Sequence, residues 1–256
     1  MLAEERKRKI MNIIEKSRIV KVTELSKELE ATEATIRRDL EELQSQKKLR
    51  RIHGGAVFTK QTNQDFQYAE LSILCMEEKK QIARQAFSFV SENDTLLLDG
   101  STTVYELGKL LAQSPVKGLS IITNSFHLMN LFSGSGQRII HTGGELSPGM
   151  NYAAGTVTEQ MLRGIRVDKC FLGTNGIEPA YGYSVPSFQD AAVKKCMLQA
   201  ARVSFILADH TKFGESYMAK FADFAGEVDY LITDQAPPGL PSGGGSPLVI
   251  QALEPA

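Results

Sequence analysis

The chain has 256 residues, of which 42% are apolar and 23% charged, and its formal net charge is −1. This size and composition are typical of a globular protein with one large domain or two unequal ones. Because it has no apolar run of about 18 residues and no apolar leader, we expect a cytoplasmic protein with no membrane partner. Its three cysteines are far apart and match neither a disulfide framework nor a zinc site.

Charge is unevenly distributed along the chain. Residues 1–58 hold fourteen Lys and Arg against ten Asp and Glu, a net charge of +4. Residues 59–256 hold fifteen against twenty. A basic module beside an acidic body indicates a nucleic-acid-binding segment attached to a larger domain.

The first thirty residues predict two short helices. Isoleucines at helical spacing predict the first over Glu4–Glu15. The β-branched segment Ser17–Val22 predicts a connector or a small strand. We expect Thr23 to cap the second helix, which a tight turn at Glu30-Ala31 follows.

A third helix, capped by Thr32, is the predicted DNA-reading element. Its Ile36, Leu40 and Leu43 recur at the i, i+4, i+7 spacing that faces a core. A capped helix in this place is typical of the recognition helix of a helix-turn-helix motif. Arginine reaches guanine or phosphate, and threonine reaches a base methyl group or phosphate. The candidate DNA contacts here are Thr32, Thr35, Arg37 and Arg38.

A basic segment ending in Gly54-Gly55 follows the third helix. Basic and apolar residues alternate over Lys47–His53, which predicts the strand and turn of a wing. Further candidate DNA contacts are Arg50, Arg51 and His53. The alternative is that the arginines only form solvated i, i+4 pairs with neighbouring glutamates. The coincidence of three helices, a cap, outward arginines and a basic wing favours DNA binding.

The rest of the chain predicts a linker and an α/β domain. Phe58–Phe66 lacks apolar periodicity, whereas Tyr68–Val90 has helical spacing throughout. Alternating strand and helix patterns from residue 95 predict a mainly parallel sheet with crossover helices. We therefore expect a DNA-binding domain over 1–58, a linker over 59–74 and an effector-sensing domain over 75–256. The predicted strands are 95–99, 119–123, 137–142, 167–173, 204–209 and 228–233, with a further edge strand at 248–253.

Small polar residues follow five of these strands, at the end where an open parallel sheet binds ligands. Glycine and hydroxyl residues at a helix N-terminus offer backbone amides to an anion, and lysine adds a compact charge that suits phosphate. The sequence therefore predicts a phosphate-sized site. Its candidate residues are Gly100, Ser101, Thr102, Thr103, Asn124, Ser125, Gly143, Gly144, Asn175, Gly176 and Lys212.

Several strings resemble the DeoR family of bacterial transcriptional regulators. TIRRDL at 35–40 and HGGA at 53–56 resemble its winged helix-turn-helix domain. LLLDGSTT at 96–103, FLGTNGI at 171–177 and LADHTKFG at 207–214 resemble its sensor domain, which is similar to ribose-phosphate isomerases and coenzyme A transferases. The resemblance implies a phosphorylated sugar as ligand, with phosphate on residues 100–103, and adds Asp99 and Lys194 to the effector site.

The expected function is a repressor of a sugar-catabolism operon, with no cofactor, that binds double-stranded operator DNA and is modulated by a phosphorylated sugar. The resemblance implies a homodimer or homotetramer, in keeping with paired half-sites. One alternative is an isomerase-like enzyme with an appended DNA-binding module. Isomerases carry Asp-Gly-Ala-Asp where this chain has Asn175-Gly176-Ile177-Glu178, and asparagine cannot act as a carboxylate base. Another is an activator or architectural protein with a structural second domain.

Overall fold

The structure is a computed structural model that describes residues 3–17, 19–46, 48–52, 54–58, 68–147 and 149–252. The chain divides into two compact units. The smaller comprises Met1–Gln64 with Ile73–Cys75, and the larger comprises Asp65–Ser72 with Met76–Ala256. Within the described residues, no helix is both long and apolar enough to cross a membrane.

The smaller unit has the winged helix-turn-helix architecture that the sequence predicts. Its helices are α1 (Ala3–Ser17), α2 (Val22–Glu28) and α3 (Glu33–Ser45). Its strands are β1 (Ile19–Lys21), β2 (Leu49–Ile52) and β3 (Gly55–Phe58), which form an antiparallel sheet in the order β1-β3-β2. Apolar side chains from the helices and the sheet form one core, which includes Ile10, Ile14, Val20, Leu25, Ile36, Leu40, Leu43 and Leu49.

Of the two helix caps predicted in this unit, the structure confirms one and contradicts the other. Thr32 caps α3 as expected, since its side chain accepts a hydrogen bond from the Thr35 N–H at 3.3 Å. The prediction for Thr23 is wrong, because α2 begins at Val22 and Lys21 is its N-cap, without a side-chain hydrogen bond. Strand β1 runs directly into α2, and the Val22 N–H donates to the Gly54 carbonyl at 2.7 Å instead.

The Gly54-Gly55 pair serves the wing in two different ways. Gly54 has φ +80°, in the left-handed region that favours glycine. A β-carbon at Gly55 would lie 2.1 Å from the Val20 carbonyl oxygen, because β3 approaches β1 closely there. The first glycine therefore permits the turn and the second permits the sheet.

The rest of the chain is built around the predicted parallel sheet. Its helices are α4 (Tyr68–Ile73), α5 (Met76–Phe87), α6 (Thr102–Ala112), α7 (Phe126–Phe132), α8 (Thr156–Arg163) and α9 (Phe188–Ala200), with a short 3₁₀ helix at His210–Lys212. Its strands are β4 (Thr95–Leu98), β5 (Ser120–Thr123), β6 (Arg138–His141), β7 (Glu145–Leu146), β8 (Ala153–Ala154), β9 (Val167–Gly173), β10 (Gly176–Glu178), β11 (Gly182–Val185), β12 (Ala201–Leu207), β13 (Ala219–Ala222), β14 (Tyr230–Thr233) and β15 (Leu248–Gln251).

Seven of these strands form one sheet in the order β15-β14-β12-β9-β4-β5-β6, and every neighbouring pair is parallel. The edge strand expected near the C-terminus is confirmed as β15. Side chains alternate between two apolar cores: Leu97 belongs to one, and Leu96 and Leu98 belong to the other. Apolar cover on both faces is typical of a parallel sheet.

The order of strands reverses beside β4. From β4 the chain adds β5 and β6 outward in one direction, and it then returns to place β9, β12, β14 and β15 on the other side. The reversal creates a crevice between the carboxyl ends of β4 and β9, where ligands bind in open α/β sheets.

Two features after residue 67 differ from the sequence prediction. The helical pattern over Tyr68–Val90 is broken into α4 and α5, and Cys75 between them has φ +47°, a left-handed conformation that ends a helix. A second antiparallel sheet, β10-β11-β13, and the small pair β7-β8 lie within stretches where we predicted no strand.

Candidate functional site

The predicted DNA-reading arginines lie on the exposed side of α3. Ile36, Leu40 and Leu43 are buried beneath the helix. The side chains of Arg37 and Arg38 are 54% and 81% exposed. The helix therefore presents both guanidinium groups to solvent, where a DNA duplex can reach them.

Each of these arginines is paired in the free protein. Arg37 Nη2 lies 3.0 Å from Glu33 Oε2, and Arg38 Nε lies 3.7 Å from Glu42 Oε1, both at i, i+4 spacing. Exposed pairs of this kind contribute at most about 1 kcal/mol. They are weak enough for a phosphate or a base to displace, so pairing and DNA binding are compatible.

The two candidate threonines are bonded to each other. Thr32 Oγ1 lies 2.8 Å from Thr35 Oγ1 and also accepts from the Thr35 N–H. Thr32 is therefore engaged in capping α3. In this position Thr32 holds the first turn of the helix in place.

The wing is attached to α3 through Arg51. Its backbone N–H donates to Gln44 Oε1 at 2.8 Å, and its guanidinium group pairs with Glu41. Arg50 lies on β2 with its backbone described but not its side chain, and His53 lies outside the described residues.

Sequence reasoning missed the structural role of Asp39, which lies within TIRRDL. Its carboxylate is 5% exposed and accepts two hydrogen bonds from Arg6, at 2.5 and 3.1 Å. The hydrogen bond to Asp39 raises the pKa of Arg6. This pair ties α1 to α3. Its signal was the position of Asp39 three residues after Ile36, on the core side of the helix.

The larger unit contains an open cleft whose empty space, together with the solvent at its mouth, is about 550 Å³. It lies at the carboxyl ends of the three adjacent strands β12, β9 and β4, at the reversal of strand order. Polar and apolar side chains share its surface. Its lining residues are Leu71, Lys79, Gly100, Ser101, Thr102, Thr103, Met150, Tyr152, Gly173, Thr174, Asn175, Asp190, Lys194 and Lys212.

Seven of the predicted effector residues line this cleft together. They are Gly100, Ser101, Thr102, Thr103, Asn175, Lys194 and Lys212. An eighth, Asp99, bonds directly to one of them, because its Oδ2 lies 2.5 Å from Lys194 Nζ. The sequence therefore identifies most of the polar surface of the cleft.

The other five predicted residues are not among those lining the cleft. Asn124 and Ser125 follow β5, and Gly143 and Gly144 follow β6, the outer strands on the far side of β4. Gly176 belongs to β10, where a β-carbon would lie 2.4 Å from the Glu215 carbonyl oxygen. The strand order decides this outcome for the four residues after β5 and β6, whereas Gly176 is held within β10.

These residues have structural partners where they lie. Asn124 Nδ2 donates to the Ala153 carbonyl at 2.8 Å, and Ser125 caps α7. The Gly143 carbonyl accepts from Thr158 Oγ1 at 2.6 Å. Each therefore fits a role in holding the loops that follow β5 and β6.

The N-terminus of α6 forms one wall of the cleft. Ser101 is its N-cap and accepts from the Val104 N–H at 3.4 Å. Asp99 fixes the preceding turn, because its carboxylate accepts from the Ser101 N–H at 2.9 Å and from the Gly173 N–H at 2.8 Å. The first amides of a helix lack partners within the helix, so this wall suits an anion.

Lys194 lies 5% exposed between two carboxylates. Its Nζ is 2.5 Å from Asp99 Oδ2 and 3.9 Å from Asp190 Oδ1. Burial lowers the pKa of Lys194, but the charges of Asp190 and Asp99 outweigh it and raise that pKa overall. Lys194 is therefore a buried cation at neutral pH.

Lys212 is paired with the buried Asp209, with 3.7 Å between Nζ and Oδ2. Burial raises the pKa of Asp209, but Lys212, the Thr211 hydroxyl and Lys79 outweigh that effect and bring it to about 2. Asp209 is thus ionised. It balances the charge of the lysine at the cleft.

Lys79 of α5 is a cleft residue that sequence reasoning missed. It is 3% exposed, and its Nζ donates to the Leu71 carbonyl at 2.5 Å. In the sequence it belongs to the charged run Glu77–Lys80, which reads as a solvated helix surface. Only the packing of α5 against the sheet reveals that this lysine faces inward.

Comparison with known families matches both units. The model of the DeoR C terminal sensor domain matches residues 74–235, and that of the DeoR-like helix-turn-helix domain matches residues 6–62.

Individual proteins are similar over nearly the whole chain. The uncharacterized HTH-type transcriptional regulator YulB of Bacillus subtilis (strain 168) is 35% identical over 255 residues, covering 99% of this chain and 94% of that protein. The lactose phosphotransferase system repressor of Streptococcus mutans serotype c is 33% identical over 243 residues, covering 91% and 93%. Among solved structures, ribose 5 phosphate isomerase A from Neisseria gonorrhoeae has a TM-score of 0.40 at 15% identity, covering 57% of this chain and 56% of that one.

Proposed function

Since the chain belongs to the DeoR family of helix-turn-helix transcriptional regulators, we propose that it represses a sugar-catabolism operon and that a phosphorylated sugar modulates its affinity for operator DNA. The observation that carries this proposal is the cleft at the ends of β4, β9 and β12. It joins a helix N-terminus to three lysines among the described residues, Lys79, Lys194 and Lys212.

The chemistry of the cleft supports a ligand with both a phosphate and hydroxyl groups. Backbone amides at the start of α6 and the ammonium groups of the lysines suit a phosphate. Asp190 and Asn175 also line the cleft, and their oxygens accept hydrogen bonds from sugar hydroxyls. The name of one relative, the lactose phosphotransferase system repressor, also connects the family with sugars.

Regulation follows from linkage between two binding sites. A sugar phosphate that prefers one state of the protein, when DNA prefers another, lowers DNA affinity by the same free energy by which DNA lowers sugar affinity. A coupling of about 1–3 kcal/mol changes affinity by roughly 5- to 150-fold. This range is sufficient for a genetic switch.

The test measures DNA affinity in the presence of candidate effectors. The probe is the duplex that the full-length protein selects from a randomised library, and its binding is followed by fluorescence anisotropy. Triose, pentose and hexose phosphates are added in turn, with the unphosphorylated sugars as controls. We expect one class of phosphate to change DNA affinity by at least about 5-fold. An unchanged DNA affinity with every sugar phosphate tested would refute the proposal that a phosphorylated sugar is the effector.

Lys212→Ala tests the assignment of the cleft. Loss of this ammonium group removes a phosphate contact, so the effector concentration needed for half of the response rises by about 10-fold or more. Lys220→Ala is the matched control, because Lys220 is 41% exposed and pairs with the exposed Asp223 outside the cleft. A normal response in Lys212→Ala would show that the effector binds elsewhere.

The cellular location, the oligomeric state and the domain boundaries are also part of the proposal. A regulator of this kind acts in the cytoplasm, where the DNA is. It binds paired half-sites as a homodimer or homotetramer. The division into a DNA-binding domain over 1–58, a linker over 59–74 and a sensing domain over 75–256 serves this arrangement.

A further inference from the structure

Glu41 lies on the side of α3 that faces away from the core. At 3.6 residues per turn, Arg38 and Glu41 are neighbours on this side, opposite the row of buried leucines and isoleucine. Their side chains are 81% and 62% exposed. A duplex that meets Arg38 therefore also meets the carboxylate of Glu41.

A carboxylate in this position is repelled by phosphate groups and needs a donor on the DNA. In the major groove the N4 amino group of cytosine is such a donor, and glutamate accepts a hydrogen bond from it. Adenine N6 is the other amino donor there, but the adjacent N7 acceptor suits asparagine or glutamine rather than a carboxylate. A cytosine is therefore the base that Glu41 fits.

The wing holds Glu41 in position. Its carboxylate pairs with the guanidinium group of Arg51 on β2. The backbone N–H of Arg51 is in turn bonded to Gln44 Oε1 at 2.8 Å, one turn further along α3. A carboxylate has lone pairs for several donors, so Glu41 can keep this pair and still accept from a base.

The neighbouring glutamates of α3 have different partners. Glu33 is in the first turn and pairs with Arg37. Glu42 accepts from Lys7 of α1 at 2.9 Å, which ties it to the body of the unit. Glu41 is the member of this group that is held by the wing beside the outward Arg38.

We propose that Glu41 is a specificity-determining residue that reads the cytosine of one C·G pair in the major groove, held there by Arg51. This inference rests on the proposed function, because it requires that α3 binds operator DNA. It assigns to an acidic side chain a role in selecting the sequence rather than in repelling DNA.

The experiment compares base preferences of the full-length protein and two variants, Glu41→Ala and Glu33→Ala. Each variant removes one negative charge from α3 and releases one arginine, and alanine favours helix at both positions. Each protein selects duplexes from a randomised library. Affinities are then measured at one salt concentration for the wild-type duplex and its single-base variants.

We expect the wild type and Glu33→Ala to prefer a C·G pair at one shared position by roughly 10-fold. Glu41→Ala loses that preference and keeps the others. If Glu41→Ala keeps the whole motif and binds every duplex more tightly, Glu41 only masks Arg51 and the assignment is wrong. If the wild type enriches no motif, the DNA-binding function fails, and the assignment of Glu41 fails with it.

Discussion

Within the smaller unit, the carboxylate of Asp39 holds two helices together at a single point. It is 5% exposed and accepts both of its hydrogen bonds from the guanidinium group of Arg6. Charged hydrogen bonds of this bidentate kind are stronger than neutral ones. The orientation of α3, and with it the placement of Arg37 and Arg38, depends on this contact with α1.

We expect Asp39→Asn to destabilise the smaller unit by about 2 kcal/mol. Asparagine keeps the shape of the side chain, but it loses the charge and turns an amino group toward Arg6. Denaturant unfolding followed by circular dichroism measures the loss. Glu33→Gln is the control, because its exposed pair with Arg37 contributes less than about 1 kcal/mol. Equal losses in the two variants would contradict a structural role for Asp39.

The residue types predicted exposed side chains and helix caps better than they predicted individual tertiary contacts. The two arginines of α3 are exposed as their helical spacing requires, and Ser101 caps a helix at the end of a strand. Lys79 was missed because its neighbours are charged, and a charged run normally faces solvent. Burial of a single lysine is a tertiary property that local sequence does not encode.

At the scale of elements, the wing depends on the close approach of β3 to β1. Gly54 and Gly55 are adjacent in sequence but differ in what surrounds them. A β-carbon at Gly54 has no atom within 4 Å, whereas one at Gly55 would meet the Val20 carbonyl at 2.1 Å. A substitution at Gly54 therefore tests backbone conformation, and one at Gly55 tests packing.

We expect Gly55→Ala to destabilise the smaller unit more than Gly54→Ala does. Alanine at position 54 adopts the left-handed conformation at a cost of about 1 kcal/mol. Alanine at position 55 forces β1 and β3 apart, and we expect a loss of more than about 2 kcal/mol together with weaker DNA binding. Thermal unfolding and fluorescence anisotropy measure both effects. A smaller loss at position 55 than at position 54 would show that the sheet adapts.

Local patterns predicted the presence of the main elements but not their breaks or their neighbours. The helical spacing over Tyr68–Val90 continues through Cys75, yet the backbone there is left-handed and divides α4 from α5. Nothing in the residue type of a cysteine signals such a conformation. The sheet β10-β11-β13 escaped notice because its strands GIE, GYSV and AKFA lack the adjacent large apolar residues of the equally short β4, β5 and β6.

At the scale of the whole molecule, the order of strands determines which loops share a site. The sequence predicted that loops from five strands would converge, and the structure brings together those that follow β4, β9 and β12. The residues after β5 and β6 lie beyond β4. Parallel pairing can be inferred from alternating strand and helix patterns, but the order of strands depends on contacts distant in sequence.

Division of the chain into two compact units leads to a prediction for unfolding. We expect calorimetry to separate two transitions, and a sugar phosphate at about 100 times its dissociation constant to stabilise the larger unit by about 2.7 kcal/mol. This corresponds to a rise of roughly 5 to 10 °C in its midpoint. Asp39→Asn should lower the other transition. A shift of the smaller unit alone on adding the effector would place the ligand outside the cleft.

The cleft already balances its own charges, because Lys194 is paired with Asp99 and Asp190, and Lys212 with Asp209. A ligand that draws an ammonium group toward itself leaves a buried carboxylate short of donors, which is unfavourable. Inorganic phosphate has few hydroxyl groups with which to replace those donors. A phosphorylated sugar carries hydroxyl groups that can replace the lost donors. Under the proposed function, internal neutralisation would act as a filter that disfavours abundant simple anions and favours a polyhydroxylated anion.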